Sequence, residues 1–453
     1  MSKRRHLARR DADAQLKFRF QLRHYSKRHA VADSGARLNA TTSVVASGAA
    51  PLWRIVSLLG VAQIISWGTL YYTLTVLAAP IRQELGFNDL TIFGAFTIGQ
   101  LVSGAAAPLL GRRIDRVGGR SVMMIGSLAA AFALAVVALA RGPILFTVGW
   151  MIAGFAMAAC LYDTAFASLY QIAPDRYRRA VTGLTLFGGF ASTVFWPLSH
   201  GLSNAYGWRA TLLGFALLHL LICLPIHRFG LPLVHTHSTT STLPSAGEPR
   251  SYRHDRRFVW LALSFAGATF VFSALSAYMV AALGTRGFSI AQAVWIGALI
   301  GPMQVLARIV EWLFTGRVSA IGVGFVACAL SLIGMLLLSL IPASLVFGAL
   351  FALCYGASNG ILTIARGTVP AELFGPQQQG ALLGALARPS FIAKALAPGV
   401  FAAGISGGFS LQTGLYLLAF ISALAFVCFW FATRPSTTPA ASTSVAVDID
   451  GQV

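Results

Sequence analysis

Charge is what this sequence has least of. Only 11% of its 453 residues are Asp, Glu, Lys or Arg, while 56% are apolar and the mean hydropathy is +0.71. A soluble domain carries about 25% charged residues, so this deficit excludes a soluble globular protein and implies one that lives in a bilayer. Acids are scarcer still, 14 against 34 Lys and Arg, for a net charge of +20. Such an excess would suggest nucleic acid in a soluble chain. Here the basic residues follow topology, and no nucleic-acid partner is expected. The five cysteines, Cys160, Cys223, Cys328, Cys354 and Cys428, all lie in apolar runs and none has metal spacing. They read as small packing residues. Also missing are an apolar signal-peptide core at the N-terminus, a His-Glu-x-x-His site and any nucleophile with a placed base. Neither an enzyme nor a metal or cofactor is expected.

The basic residues are unevenly placed. Eleven lie in residues 1–50, and others cluster at 112–120, 176–179, 250–257 and 434. On the opposite side, between apolar runs, stand only Arg82, Arg141, Arg209 and Arg286. Under the positive-inside rule both termini face the cytoplasm, as in a multi-pass protein of the cell (inner) membrane. Residues 1–52 are expected to form a basic, disordered cytoplasmic tail able to touch anionic lipid. Leu16, Phe18, Phe20 and Leu22 alternate with period two, the wrong period for the amphipathic helix of a transit peptide.

Twelve apolar segments follow, at about 53–79, 90–110, 121–140, 144–168, 180–203, 209–226, 258–283, 290–314, 321–341, 345–366, 380–404 and 411–432. Each is close to the ~20 residues that cross a ~30 Å hydrocarbon core as a helix. The longest break, 227–257, is polar, Ser/Thr/Pro-rich and basic. It divides the segments into an N-terminal bundle (53–226) and a C-terminal bundle (258–432), and 433–453 reads as a second cytoplasmic tail. The expected fold class is all-α, with twelve transmembrane helices in two six-helix bundles.

Between segments 2 and 3 stands Gly111-Arg-Arg-Ile-Asp115-Arg116-Val-Gly118-Gly119-Arg120, an island of five charges. It resembles the signature loop of the major facilitator superfamily, G-x-x-x-D-R/K-x-G-R/K-R/K. Gly111, Asp115, Arg116, Gly118 and Arg120 stand in the family's positions, and Gly119 replaces a basic residue. The resemblance implies alternating access, two bundles rocking about a central site with this loop latching the cytoplasmic side. The copy expected between segments 8 and 9 is Gly316-Arg317-Val-Ser319-Ala-Ile-Gly322, without the Asp. The first loop is therefore assigned the main gating role and the second little.

Charges at membrane depth point to function, since each costs ~2.5–3.5 kcal/mol at mid-helix. Segment 11 carries Arg388 and Lys394. Its eight Leu, Ile, Val and Phe residues supply roughly 2.4–4.8 kcal/mol against the ~5–7 kcal/mol the two charges cost at full depth. That helix depends on protein neighbours or a wet cavity. The two cations lie about 120° apart on a helical wheel, and Pro389 and Pro398 bracket Lys394. In segment 8, Gln304, Arg308 and Glu311 share one face. Either Arg308 and Glu311 form a local ion pair, or Arg308 meets an anionic substrate with Glu311 tuning it, arginine's fork suiting a carboxylate. Asp163 in segment 4 either carries a proton or pairs with the loop arginines. Two uncharged stripes, Gln63–Trp67–Tyr71 and Tyr355–Asn359–Thr363, read as cavity lining or as helix packing. The small residues Gly183, Gly188-Gly189 and Ser192 of segment 5 read as close-packing positions.

Some stretches resemble the monocarboxylate and oxalate:formate branch of that superfamily more closely. They are Arg178-Arg179-Ala180 through Pro197, Gly207-Trp208-Arg209, and Gln304-x-x-x-Arg308, where Gln304 stands in place of an aspartate. The branch implies a monomeric secondary transporter of a small organic anion. Arg308 and Lys394 would bind it with Arg388, Gln63, Trp67, Tyr71, Tyr355 and Asn359 around them. Asp115, Arg116, Arg120, Asp163, Glu311 and Gln304 would serve coupling or gating, with protons or a counter-anion balancing the charge. The alternatives are proton-coupled efflux of drug-like or toxic compounds and, further off, a ligand-binding membrane receptor.

Overall fold

The computed structural model describes residues 51–233, 255–340, 344–375 and 378–434. The two expected tails and most of the expected linker lie outside them. Every regular element among the described residues is a helix. They are α1 Leu52–Leu85, then α2 Asp89–Val117, α3 Gly119–Leu139, α4 Pro143–Cys160, α5 Tyr162–Ile172, α6 Tyr177–Gly188, α7 Ala191–Leu218, α8 Arg256–Thr285, α9 Ile290–Phe314, α10 Ala320–Leu340, α11 Leu345–Phe374, α12 Gln379–Ser406 and α13 Leu411–Thr433.

The polar punctuation between apolar runs supplies the caps. Asn88 accepts from the Thr91 amide to start α2, Ser289 and Gln292 form a reciprocal capping box on α9, and Ser410 accepts from Thr413 on α13. Pro143 opens α4, where its missing N–H costs nothing.

Eleven continuous helical runs among the described residues are long and apolar enough to span a membrane. One of them, Pro174–Gly230, has 57 residues. At 1.5 Å per residue that is roughly 85 Å, far more than one crossing. The run is broken at Gly207, whose φ of 80° and ψ of 161° interrupt the helix. Glycine meets that backbone without a Cβ penalty. The break resolves segments 5 and 6 into separate legs, so the path has the expected twelve. Helical backbone continues through π-turns to Gly230, past the expected linker boundary, and His227 is buried there, hydrogen-bonded to Ser127 at 2.8 Å.

The apolar interior is divided between the halves of the chain. One cluster takes in only residues from Ala62 to Cys223, and two others only residues from Leu261 onward. A small cluster of Ala107, Ala387 and Phe391 joins them where α2 crosses α12. That crossing is close because it is lined by glycine. A Cβ on Gly111 would collide with the Gly380 carbonyl oxygen, one on Gly380 with the Gly111 carbonyl and the Asp115 carboxylate, and one on Gly384 with the Ala107 carbonyl.

Candidate functional site

Two of the legs are broken, and the breaks build the site. Segment 4 stops at Cys160, turns through an extended Leu161 (φ −82°, ψ −168°) and restarts at Tyr162. Three of the carbonyls there have donors. Leu161 N–H donates to Met157 O at 3.0 Å, the Thr164 hydroxyl to Ala158 O at 2.7 Å, and the Gln63 amide to Cys160 O at 2.6 Å. Segment 5 is interrupted at Gly189–Phe190, between α6 and α7. The Thr185 carbonyl accepts from the Gly189 amide at 3.1 Å and from an Arg308 terminal nitrogen at 3.0 Å. A cation at a helix C-terminus suits the helix dipole. A Cβ at Gly188 would strike the Tyr162 hydroxyl, and one at Gly189 the Arg308 guanidinium. The glycine pair expected to be plain packing therefore makes room for two side chains of the site.

Lys394 is half-buried on α12 and meets the first half of the chain through aromatic faces. Its Nζ lies 3.7 Å from the Tyr71 ring centroid and 5.2 Å from that of Trp67, a cation–π arrangement. Trp67 also packs 5.1 Å from Tyr162, which stacks on Phe166 at 5.2 Å and 9°. Tyr72 lies edge-on to Tyr71 at 5.2 Å and to Trp196 at 6.3 Å. No carboxylate lies within ion-pair distance of Lys394 or Arg308 among the described residues.

The expected site residues divide into those this cluster includes and those it does not. Trp67, Tyr71 and Lys394 come together. Arg308 is 5% exposed, and the field of its guanidinium reaches Tyr72 and Tyr162. Its two hydrogen bonds bridge the halves, to Thr185 O and, at 3.3 Å, to Gly360 O. Asp163 sits in the first turn of α5, near Arg366 and Lys394.

The other expected residues are placed elsewhere. Gln63 is fully buried and committed to the break in segment 4. Its i, i+4, i+8 grouping with Trp67 and Tyr71 assumed a regular helix, but Gly68–Tyr72 is a π-turn. Tyr355, 2% exposed, packs between Phe351 and Phe272 and donates to Phe272 O at 3.4 Å. Asn359 and Gln304 are half-buried. The Arg388 side chain is exposed.

Of the two readings of Arg308 and Glu311, the local ion pair does not form. Glu311 accepts instead from Arg178 Nε at 2.8 Å and from the Thr182 hydroxyl at 2.6 Å, both on α6. The reason is reach: Arg308 is drawn to the exposed carbonyls of the segment 5 break, while Glu311, one turn further on, faces the start of that helix. Arg178 also donates to Val318 O, so the degraded second loop is joined to the first half. On the pseudo-equivalent side, Asp115 accepts from the Gly380 amide at 2.8 Å and the Ala381 amide at 2.7 Å, the first turn of α12. Tyr177 donates to Gly367 O at 2.7 Å. Arg120 reaches Leu231 O at 3.5 Å, and Arg116 is exposed. Gly119 cannot be basic because a Cβ there would overlap Ser168.

All these ties between halves lie at the end that carries the charge island. At the other end Arg82–Asp89, Glu84–Arg209 and Arg286–Gln412 each stay within one half.

The sequence model of the Major Facilitator Superfamily matches residues 59–398. A relative from Thermoproteus tenax, an uncharacterized 38 kDa protein in a 23S RNA operon, is 28% identical over 337 residues, 69% of this chain and 85% of its own length. The human organic anion transporter MFSD10 (TETRAN) superposes with a TM-score of 0.64 at 19% identity, covering 84% of this chain and 100% of that one. FucP in the outward conformation gives 0.67 at 14% identity over 84% and 99% of the two chains. The proton:xylose symporter XylE gives 0.64 at 13% identity over 84% and 95%. At these identities the structural likeness speaks for the fold alone. Carried by the match over residues 59–398, the assignment is direct: this chain belongs to the Major Facilitator Superfamily, whose members are membrane transporters of small molecules and not enzymes.

Proposed function

We propose that this protein is a secondary active transporter of a small organic anion, monocarboxylate-like, working by alternating access. One observation carries the reading: Lys394, at mid-span of α12, lies against aromatic faces of the opposite half and forms no salt bridge with a carboxylate among the described residues. A part-buried ammonium with no carboxylate at ion-pair distance is costly, and an anionic substrate would offset that cost. Arg308, held on carbonyls of both halves, would add to the positive field. The polar ties at the charge-island end describe a form closed there. We read that end as cytoplasmic, with both termini on the same side of a cell (inner) membrane. The first and second halves of the chain act as the rocking bundles. Asp163, within the field of Lys394, is our choice for a proton carrier if transport is proton-coupled; exchange against a second anion is the other route to charge balance.

The test is uptake of labelled carboxylates into proteoliposomes, with an imposed proton gradient and, separately, with anion preloading. Saturable uptake lost in Lys394→Ala is the expected result. Absence of any anion uptake by folded protein would instead favour proton-coupled efflux of drug-like compounds, a second reading that rests on the aromatic wall of Trp67, Tyr71, Tyr72 and Tyr162.

A further inference from the structure

The Lys394 ammonium occupies π faces that a ligand would have to take over. Resting on the anion reading above, we infer that the preferred substrate is a planar aromatic monocarboxylate, its carboxylate drawing Lys394 off Tyr71 and its ring covering the faces thus vacated.

The charge count points to a monoanion. Of the three cations expected at the site, Arg308 is spent on the Thr185 and Gly360 carbonyls and the Arg388 side chain is exposed. Lys394 lies against ring faces and makes no salt bridge among the described residues, with Asp163 the one carboxylate near it. A dianion brought into this space would keep one charge without a partner.

The composition of the wall points to an arene. Trp67, Tyr71, Tyr72 and Tyr162 are each half-buried, with side-chain surface still open, and Trp67–Tyr71 and Trp67–Tyr162 centroids lie 5.4 Å and 5.1 Å apart. A carboxylate that pairs with the ammonium withdraws it from Tyr71 and Trp67. A short aliphatic acid would leave those faces against water, whereas an aromatic ring restores a favourable π contact and buries apolar area. The buried Trp67 indole N–H has no partner among the described residues. It suits a carboxylate oxygen arriving beside the ring. The aromatic surface also continues outward. Trp196, edge-on to Tyr72, lines a shallow open groove with Thr75, Val76, Pro197 and His200.

The experiment is equilibrium binding to purified protein, comparing benzoate with cyclohexanecarboxylate, acetate and phthalate. Benzoate and cyclohexanecarboxylate match in ring size and charge but differ in π character. Benzoate is expected to bind about tenfold more tightly than cyclohexanecarboxylate, with acetate and phthalate weaker still. Tyr71→Leu should bring benzoate and cyclohexanecarboxylate level, while Tyr71→Phe keeps the preference and shows that the pocket still folds. Equal binding of the two ring acids, or acetate or phthalate binding as tightly as benzoate, overturns the aromatic assignment and leaves the anion reading standing. If folded wild-type protein binds none of the four, both fall together.

Discussion

Asp115 and Glu311 each reach from one half of the chain to the other at the same end of the molecule, yet they grip different things. Asp115, at the end of α2, holds two backbone amides in the first turn of α12. Glu311, near the end of α9, holds the side chains of Arg178 and Thr182 on α6. The Asp115 clasp is half-buried and uses groups that every helix N-terminus offers, so water can replace it at small cost. The Glu311 clasp is nearly sealed, with side-chain exposures of 2% for Glu311 and 18% for Arg178. Ions so placed gain little net stability from pairing, but each becomes expensive when the other is removed. One clasp is suited to repeated release, the other to holding until water enters.

Glu311→Gln should therefore produce the largest disturbance. It leaves the Arg178 charge inside with only a neutral amide and Val318 O to accept from it. Breaking such a pair costs about 3–5 kcal/mol. The loss falls on the form closed at this end, so closure should become the minor state. A thiol placed by Thr368→Cys, at a buried position beside Gly367, would report it. Labelling should be slow in the wild-type background, where the native cysteines are buried, and fast with Glu311→Gln. Equal labelling would mean that the sealed clasp does not hold the halves together.

The same contrast marks the limit of what the sequence discloses. Asp115 is legible because its partner is backbone: a carboxylate at a fixed place in a short loop needs no matching side chain, so a motif can carry it. Glu311 is not, because its partners lie 129 and 133 positions away on α6, and spacing along α9 pointed to Arg308 instead. The twelve crossings could be read because each is an apolar run of bilayer length. The helix breaks could not. Nothing in Cys160-Leu161-Tyr162 departs from an apolar helix, and Gly188-Gly189 serves close packing as readily as interruption. Hence Trp67, Tyr71 and Lys394 were found by residue type and depth, whereas Tyr72, Tyr162 and the use of Gln63 as a cap depend on backbone breaks and a π-turn without a polar signal.

A middle-sized effect separates the clasps from the packing beneath them. Gly380→Ala would press a methyl against the Gly111 carbonyl and the Asp115 carboxylate, whereas Gly297→Ala, in α9, meets nothing within 4 Å. Overpacking of this kind costs about 1–3 kcal/mol, while an unhindered Gly→Ala inside a helix stabilises by roughly 0.5–1 kcal/mol. Melting temperature in detergent should fall for the first and hold or rise for the second. Parallel behaviour would show that α2 and α12 do not depend on their close approach.

The smallest effect is expected at the residue the motif makes most prominent. Asp115→Asn keeps a carbonyl oxygen for one of the two amides but turns an NH₂ toward the other and removes the negative charge from the N-terminus of α12. Caps and helix-end charges of this kind are worth about 1 kcal/mol, or roughly a fivefold shift between closed and open forms. Lys394 and Tyr71 lie on other turns and keep their contact, so substrate affinity should change little while the rate of transport falls severalfold. Asp115→Glu offers a sharper version. It retains the charge but lengthens the arm, and where Gly380 and Gly111 leave no room for a Cβ the extra methylene has nowhere to go. If the charge at the helix end is what holds the clasp, Glu should keep more of the rate than Asn. If close approach is what matters, Glu should do worse, and the Asp115 clasp would then depend on the same glycine packing as the crossing beneath it.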